Sequence, residues 1–403
     1  MVMNATETLT SGKGLRISNA AFNFPLITIL LSFCALAVVS NTYTMIPINK
    51  DLAEAFHVPE IKAAWASSVF SITYAAGFLV FGPLSERYGK KQVLAAGLAV
   101  LAACTFICGL VHSFGLLLSF RAVQGFFTAA FGPVALAYVF EIYPTEKRAT
   151  TIAMITTGFL TSGIIGQVAS SWITRSLGWP YVFFVFAITY LLSFLLAWRI
   201  LPLTPVQAPD TSLLTILKQT LGLLRRPDLV TCFVITFTLL LSFTGMYASL
   251  GQYLVSQFGL RADQLLGIRS VGILGTLLSP LAGKLIARFG LKKVLTGALF
   301  IACGGLLLEW SMSTLALVTA ASVIFVAGIS LVNPTMINIV GILGGRASGG
   351  AVVMYSFILY IGASAGPMFA QLAKFGTVIL ILAGLLSVSM ILSLSIKIPS
   401  AYK

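Results

Sequence analysis

Long apolar stretches alternate with short polar punctuation along almost the whole chain. A helix needs about 20 apolar residues to cross the hydrocarbon of a bilayer, and twelve stretches approach or exceed that length. They are predicted near residues 24–46, 63–83, 92–111, 115–139, 150–173, 180–199, 229–254, 264–284, 293–311, 314–337, 350–372 and 376–396. Their apolar residues run continuously, which favours helices over the alternating strands of a barrel. The predicted fold class is all-α integral membrane: twelve transmembrane helices in two six-helix bundles.

The polar punctuation sets the domain plan. The longest interruption, LTPVQAPDTSLLTILKQTLGLLRRPD at 203–228, carries Pro, Thr, Asp and basic residues and reads as a linker with a short amphipathic helix at 212–224. The plan is a tail at 1–22, a bundle at 23–202, the linker at 203–228, a second bundle at 229–397 and a tail at 398–403. The first tail is polar and shows no apolar core before a cleavage site, so no cleavable signal is expected there.

Composition agrees with the pattern. Of 403 residues, 58% are hydrophobic and only 9% are charged, whereas a soluble domain carries about a quarter charged residues. The mean hydropathy is +1.00. The net charge of +14 changes the picture less than its size suggests. With the N-terminus inside, eighteen of the 25 Lys and Arg fall in cytoplasmic segments, five outside and two within spans. That asymmetry is an orientation signal, and no nucleic-acid partner is needed to explain it. Five cysteines, Cys34, Cys104, Cys108, Cys232 and Cys303, fall inside predicted spans without metal-ligand spacing and read as small buried residues.

One polar turn stands out. FGPLSERYGKK at 81–91 packs one acid and three cations into a chain almost without charge. From Gly82 the run is GPLSERYGKKQVL, and from Gly283 it is GKLIARFGLKKVL. The copies match at seven of thirteen positions with an offset of 201 residues. Each follows the second predicted span of its half, as expected of parallel repeats related by an axis along the membrane normal. With these residues the chain resembles the major facilitator superfamily over essentially its whole length. The family's loop signature is met by Gly82, Glu86, Arg87, Gly89, Lys90 and Lys91, with Glu in place of Asp. The second copy keeps Gly283, Arg288 and Gly290 and has Ala287 at the acid position. The resemblance implies that this loop is a state-dependent latch. Its arginine is expected to pair with an acid near Glu141, and its carboxylate to reach the C-terminal half. Lys90 and Lys91 are expected mainly to set topology.

Two cations lie within predicted spans, where an ionisable group is a functional hypothesis by default. Arg121, Gln124 and Gly125 match the fourth-span pattern of the drug:proton antiporter branch, which implies a link to proton coupling. Arg269 has no family motif behind it. It faces a cavity, snorkels outward or pairs with Asp263. None of the eleven acids falls near the middle of a span, and Glu309 and Asp263 sit toward helix ends. A central cavity with Arg and no acid favours anionic, zwitterionic or neutral substrates over cations. Further cavity candidates on the helices that line the centre in this family are Asn41, Tyr43, Tyr247 and Asn333. Gly158, Gly163 and Gly166 in the fifth span, and Gly362 and Gly366 in the eleventh, form small-residue faces expected to let the halves pack closely. The fifth-span stretch SGIIGQVASS departs from the antiporter pattern, with Gln167 for Pro.

No GxxxxGK[ST] loop, HExxH or metal cluster is visible, so no enzyme activity, metal or cofactor is expected, the energy source being a proton gradient. The resemblance implies a secondary active transporter in a bacterial inner membrane, with both termini cytoplasmic. Proton-coupled export of a drug-like molecule or metabolite is the first expectation. Alternatives are symport uptake of a small organic anion, or a non-transporting membrane sensor with the same fold. The expected partners are a small-molecule substrate and the bilayer, and the chain is expected to act as a monomer.

Overall fold

The computed structural model describes residues 23–204, 212–260, 262–370 and 372–398; the side chains of residues 61, 213, 262, 263, 266, 346 and 367 are also outside the description. The first predicted tail, all but Ile398 of the last one and residues 205–211 of the linker therefore lie outside the described residues. Twelve apolar helical segments follow one another, and no strand occurs among the described residues. In order they are Phe24–Ser40, Trp65–Tyr88, Lys90–Cys108, Phe114–Ile142, Thr145–Leu177, Trp179–Ile200, Pro227–Phe258, Gly267–Phe289, Leu291–Ser311, Leu315–Gly344, Ser348–Ala370 and Phe375–Ser395. They are called the first to twelfth spans below. An even number of crossings puts the described ends and the linker on one face, the linker face; the other is the far face.

The spans depart from the sequence expectation in ways that have local causes. The first helix stops at Ser40 and continues as turns through Ile48, short of the expected 46. The carbonyl of Asn41 is drawn into a side-chain bond with Arg121 there. The fourth span breaks into Phe114–Thr128 and Gly132–Ile142, because Pro133 in the new first turn has no N–H to donate. The eighth is the most divided, with helices Ala262–Val271, Ile273–Thr276 and Ala282–Phe289 joined by a 3-10 turn at Ser279–Leu281. The linker helix forms at Leu213–Gly222, capped by Ser212, whose Oγ accepts from Thr215 N at 3.2 Å. The seventh span starts at Pro227 rather than 229.

Packing repeats with the period of six spans. The first span packs along the fifth and the seventh along the eleventh; the third pairs with the sixth and the ninth with the twelfth. The small-residue faces serve these contacts within each half, not the contact between halves expected from the sequence. A methyl group on Gly158 would lie 2.6 Å from the Ser32 carbonyl of the first span, and one on Gly166 2.8 Å from the Ser40 carbonyl. Gly366 lies equally close to Gly245 of the seventh span, and Gly362 lies against Phe237. Glycine there lets backbones approach where lipid supplies no hydrophobic drive. Gly163 is different and looks into the space between the halves, toward Tyr43.

The halves meet on the linker face through two symmetry-related pairs, second with eleventh and eighth with fifth. The repeated turn provides the contact in both. A methyl on Gly82 would lie 2.6 Å from Val353 Cγ1, and one on Gly283 2.8 Å from Thr150 Cα. Ser279 Oγ adds a bond to the Ala153 carbonyl at 3.0 Å. Gly89 and Gly290 end the two copies at φ 90° and 81°, a region an L side chain rarely enters.

Candidate functional site

The second span carries the charged turn to the linker face, where its final residues meet the start of the eleventh. The Glu86 carboxylate lies against Gly349 and Gly350, at the amino-terminal end of Ser348–Ala370, where the Gly350 amide favours its charge. Unsatisfied amides and the helix dipole favour an anion at that place. The carboxylate does reach the C-terminal half, as the motif implied. The arginine does not do what the motif implied. Lys90 Nζ, not Arg87, donates to Glu141 Oε1 at 2.7 Å. Lys90 is only 2% exposed, so it is a buried structural cation and not merely a topology signal. Arg87 instead lies 5.5 Å from the Tyr88 ring centroid. The cause is register: Gly89 starts a new helix, and Lys90 in its first turn faces the fourth span. Lys91 lies 5.6 Å from the Trp198 ring, and Arg288 in the second copy 5.3 Å from the Phe289 ring.

Between the halves lies a cavity of about 350 Å³. Its wall takes residues from spans one, two, four, five, seven, eight, ten and eleven, drawn from the middle and the far-face side. Five tyrosines line it, Tyr43, Tyr74, Tyr247, Tyr355 and Tyr360, with Phe78, Phe159 and Phe243. Tyr74 and Tyr360 meet across the halves at 4.7 Å between ring centroids, edge to face. Polar groups are few: Thr42, Gln167, Thr244, Thr276, Asn333 and Ser356. Arg269 is the sole charged side chain in this wall among the described residues.

Arg269 crosses from the eighth span onto the seventh. Its Nη2 donates to the Tyr247 carbonyl at 3.2 Å and lies where a side chain on Gly251 would be. Of the three expectations, the cavity-facing one is met. The Asp263 side chain lies outside the described residues. Tyr43, Tyr247 and Asn333 also line the cavity as expected, and Asn333 Oδ1 accepts from the Tyr355 hydroxyl.

Arg121, Gln124, Gly125 and Asn41 do not line the cavity; they sit behind its wall. Arg121 is fully buried in the first bundle. It donates to Asn41 Oδ1 at 2.7 Å, Gln124 Oε1 at 2.8 Å and the Ala66 carbonyl at 3.2 Å, and stacks 4.3 Å from the Phe70 ring centroid. Gln124 Nε2 passes the network to Thr105 at 2.8 Å. Neutral acceptors and an aromatic face together suit a guanidinium, whose planar fork matches several partners at once. Gly125 lies under the Phe70 backbone, giving second and fourth spans their close approach.

Tyr74, Gln167, Tyr355 and Tyr360 are cavity residues that the sequence did not mark, because they lie on the second, fifth and eleventh spans, away from the helices that the resemblance places around the centre. Gln167 lies one turn beyond Gly163 on the same helix face, and that spacing was a usable signal. The sequence did not mark the burial of Glu309 either. That acid sits near the far-face end of the ninth span, as expected, yet it is fully buried.

The Major Facilitator Superfamily model matches residues 28–367. Multidrug resistance protein 3 of Bacillus subtilis is 32% identical over 124 residues, which are 31% of this chain and 24% of that protein. An uncharacterized transporter of Buchnera aphidicola subsp. Schizaphis graminum is 24% identical over 346 residues, 85% of this chain and 83% of that one. Among solved structures, the human organic anion transporter MFSD10 superposes with TM-score 0.79 at 16% identity, covering 92% of this chain and 99% of that one. The proton:xylose symporter XylE gives 0.76 at 13% identity, with 93% and 96% covered.

Proposed function

Since this chain belongs to the Major Facilitator Superfamily and is a multi-pass membrane transporter, we propose that it is a proton-coupled secondary active transporter working by alternating access. Its substrates are small molecules that carry aromatic or other apolar surface and a negative charge, or no net charge. The observation that carries this is Arg269, the one charged group among the described residues of a cavity otherwise walled by tyrosine, phenylalanine and neutral polar residues. A cation in a largely apolar recess attracts anions and disfavours other cations, and tyrosines supply apolar area with a hydroxyl for orientation.

The linker face is the cytoplasmic one, on the charge asymmetry of the loops. Contacts at Gly82, Gly283 and Glu86 then close the cytoplasmic side, and the cavity belongs to an outward-facing state. Export is the direction suggested by the likeness to the multidrug resistance protein. A second reading is symport uptake of an organic anion, favoured by Arg269 and by the absence of a carboxylate from the described cavity wall. Arg121 acts through position: it holds the break after Ser40 that brings Thr42, Tyr43 and Ile46 to the cavity. The protein acts as a monomer, with no cofactor beyond the proton gradient.

A thermal-shift screen of the purified protein with anionic, neutral and cationic aromatic compounds tests the site. Stabilisation by anionic or neutral compounds, with the anions' effect lost in Arg269→Ala, supports it. Stabilisation by cations alone, or effects indifferent to Arg269, contradicts it. Binding without flux in any liposome assay leaves the sensor reading in its place.

A further inference from the structure

The linker helix has two sides, and the rest of the chain covers one of them. Leu213–Gly222 and the 3-10 turn Leu223–Arg225 bury Ile216, Thr220 and Leu223, which share one side of the helix at i, i+4 and i+7. That side packs on the second and eleventh spans. It lies over the latch: a methyl group on Gly350 would be 3.2 Å from Thr220 Oγ1, 3.7 Å from Leu223 Cδ1 and 3.8 Å from Glu86 Oε1. The helix therefore touches both halves at the point where they close.

The opposite side is open. Leu214, Lys218, Leu221 and Arg225 follow one another there at i, i+4, i+7 and i+11, all exposed, and Leu224 is exposed beside them. Thr215 and Gln219 stand on a separate polar flank. Neither Lys218 nor Arg225 is paired with an acid among the described residues, and no Asp or Glu occurs from 211 to 227. Arg226, by contrast, donates to the Leu343 carbonyl at 2.9 Å. The seventh span starts at Pro227, directly after it. A helix joined to one span and packed on the ends of two others lies where hydrocarbon gives way to headgroups. Leucines and unpaired cations on one face at that level suit an anionic lipid surface.

We propose that this face binds anionic phospholipids of the adjoining leaflet, and that the bound lipid favours the closed linker face. Lys218 and Arg225 meet the headgroup phosphates, and Leu214, Leu221 and Leu224 enter the acyl boundary. The effect on the latch follows from the position of the helix. A ligand shifts a two-state equilibrium only through its differential affinity for the two states. The helix holds its present attitude by resting on the second and eleventh spans together. When the halves part it keeps only one of those contacts, and its outer face loses its seat on the leaflet. Neither the substrate nor the coupling ion enters this argument, which goes beyond the transport reading.

The test uses the full chain in nanodiscs. All five cysteines are buried, so a fluorophore can be placed at Leu221→Cys, with Gln219→Cys as the control on the polar flank. Phosphatidylglycerol or phosphatidylcholine carrying a nitroxide on the acyl chain serves as quencher. Quenching at 221 should exceed that at 219, with phosphatidylglycerol favoured over phosphatidylcholine by roughly fivefold or more from the two cations. Lys218→Gln combined with Arg225→Gln should bring that ratio to about one and leave quenching by phosphatidylcholine in place. No quenching by either lipid would put this face in water, open to a protein partner, and overturn the proposal. Equal quenching by the two lipids, or a preference that survives the double variant, would overturn the anionic site. If labelled Leu221→Cys does not fold, Leu214→Cys carries the same readout. Spin-label distances across the linker face should show a larger closed population in phosphatidylglycerol discs than in phosphatidylcholine discs, a difference lost in the double variant. Identical populations would overturn the link to the latch. No substrate is needed, so a transport screen that finds no flux sinks the transporter reading while the lipid site stands or falls separately.

Discussion

The Lys90–Glu141 pair shows how far one side chain can depart from its motif. Both lysines after Gly89 look like topology signals in sequence, since nothing local marks which of them turns inward. Burial decides it: Lys90 is 2% exposed with its ammonium 2.7 Å from Glu141. Its backbone N–H donates to Thr204 Oγ1 at 2.8 Å, tying the turn to the start of the linker. Removing one member of a buried pair leaves the other charge uncompensated. Lys90→Met is therefore expected to destabilise the protein by about 3 kcal/mol, read by thermal unfolding in detergent, whereas Lys91→Met should cost much less. Equal losses at the two lysines would refute this division of roles. Arg121 was legible as an intramembrane arginine, but its destination was not. The partners Asn41 and Ala66 lie 80 and 55 residues away, and only the fold brings them together.

At the scale of elements, the repeated turn is the most legible feature of the chain. The sequence match between Gly82 and Gly283 becomes a structural equivalence: each glycine receives a side chain from the opposite half, Val353 in one case and Thr150 in the other. The small-residue faces were legible as packing surfaces and misread as to partner, because a glycine ridge does not say which neighbour it admits. The breaks after Ser40, at Gly132 and in the eighth span are where sequence-drawn spans fail, and these breaks border the cavity. Gly82→Ala and Gly283→Ala should each wedge the linker face apart, since both would place a methyl group within 3 Å of the other half. Spin-label distances across that face should lengthen in both variants. Glu86→Ala should shift the same equilibrium further than any substitution at Ala287, because only Glu86 reaches the helix start at Gly350. Equal population shifts from Glu86→Ala and Ala287 variants would remove the asymmetry of the latch.

For the whole molecule, twelve spans, two halves and the intervening linker were readable from hydrophobic run length and one internal repeat. The proposed substrate preference begins as a charge inventory in sequence, and the structure adds that Arg269 lines the cavity while Arg121 is buried behind the wall. Glu309 escaped because hydropathy places it near a helix end, and burial there depends on the packing of the ninth span against the tenth and twelfth. The account's central claim is that this cavity moves anionic or neutral molecules in preference to cations, under proton control. It is tested most directly in proteoliposomes with an imposed pH gradient, comparing flux of benzoate, benzamide and benzylamine, three probes of similar size that differ in charge. The account predicts gradient-dependent movement of benzoate or benzamide above benzylamine, with the benzoate advantage abolished in Arg269→Ala. Benzylamine moving fastest, or a ranking that Arg269→Ala leaves unchanged, would contradict it.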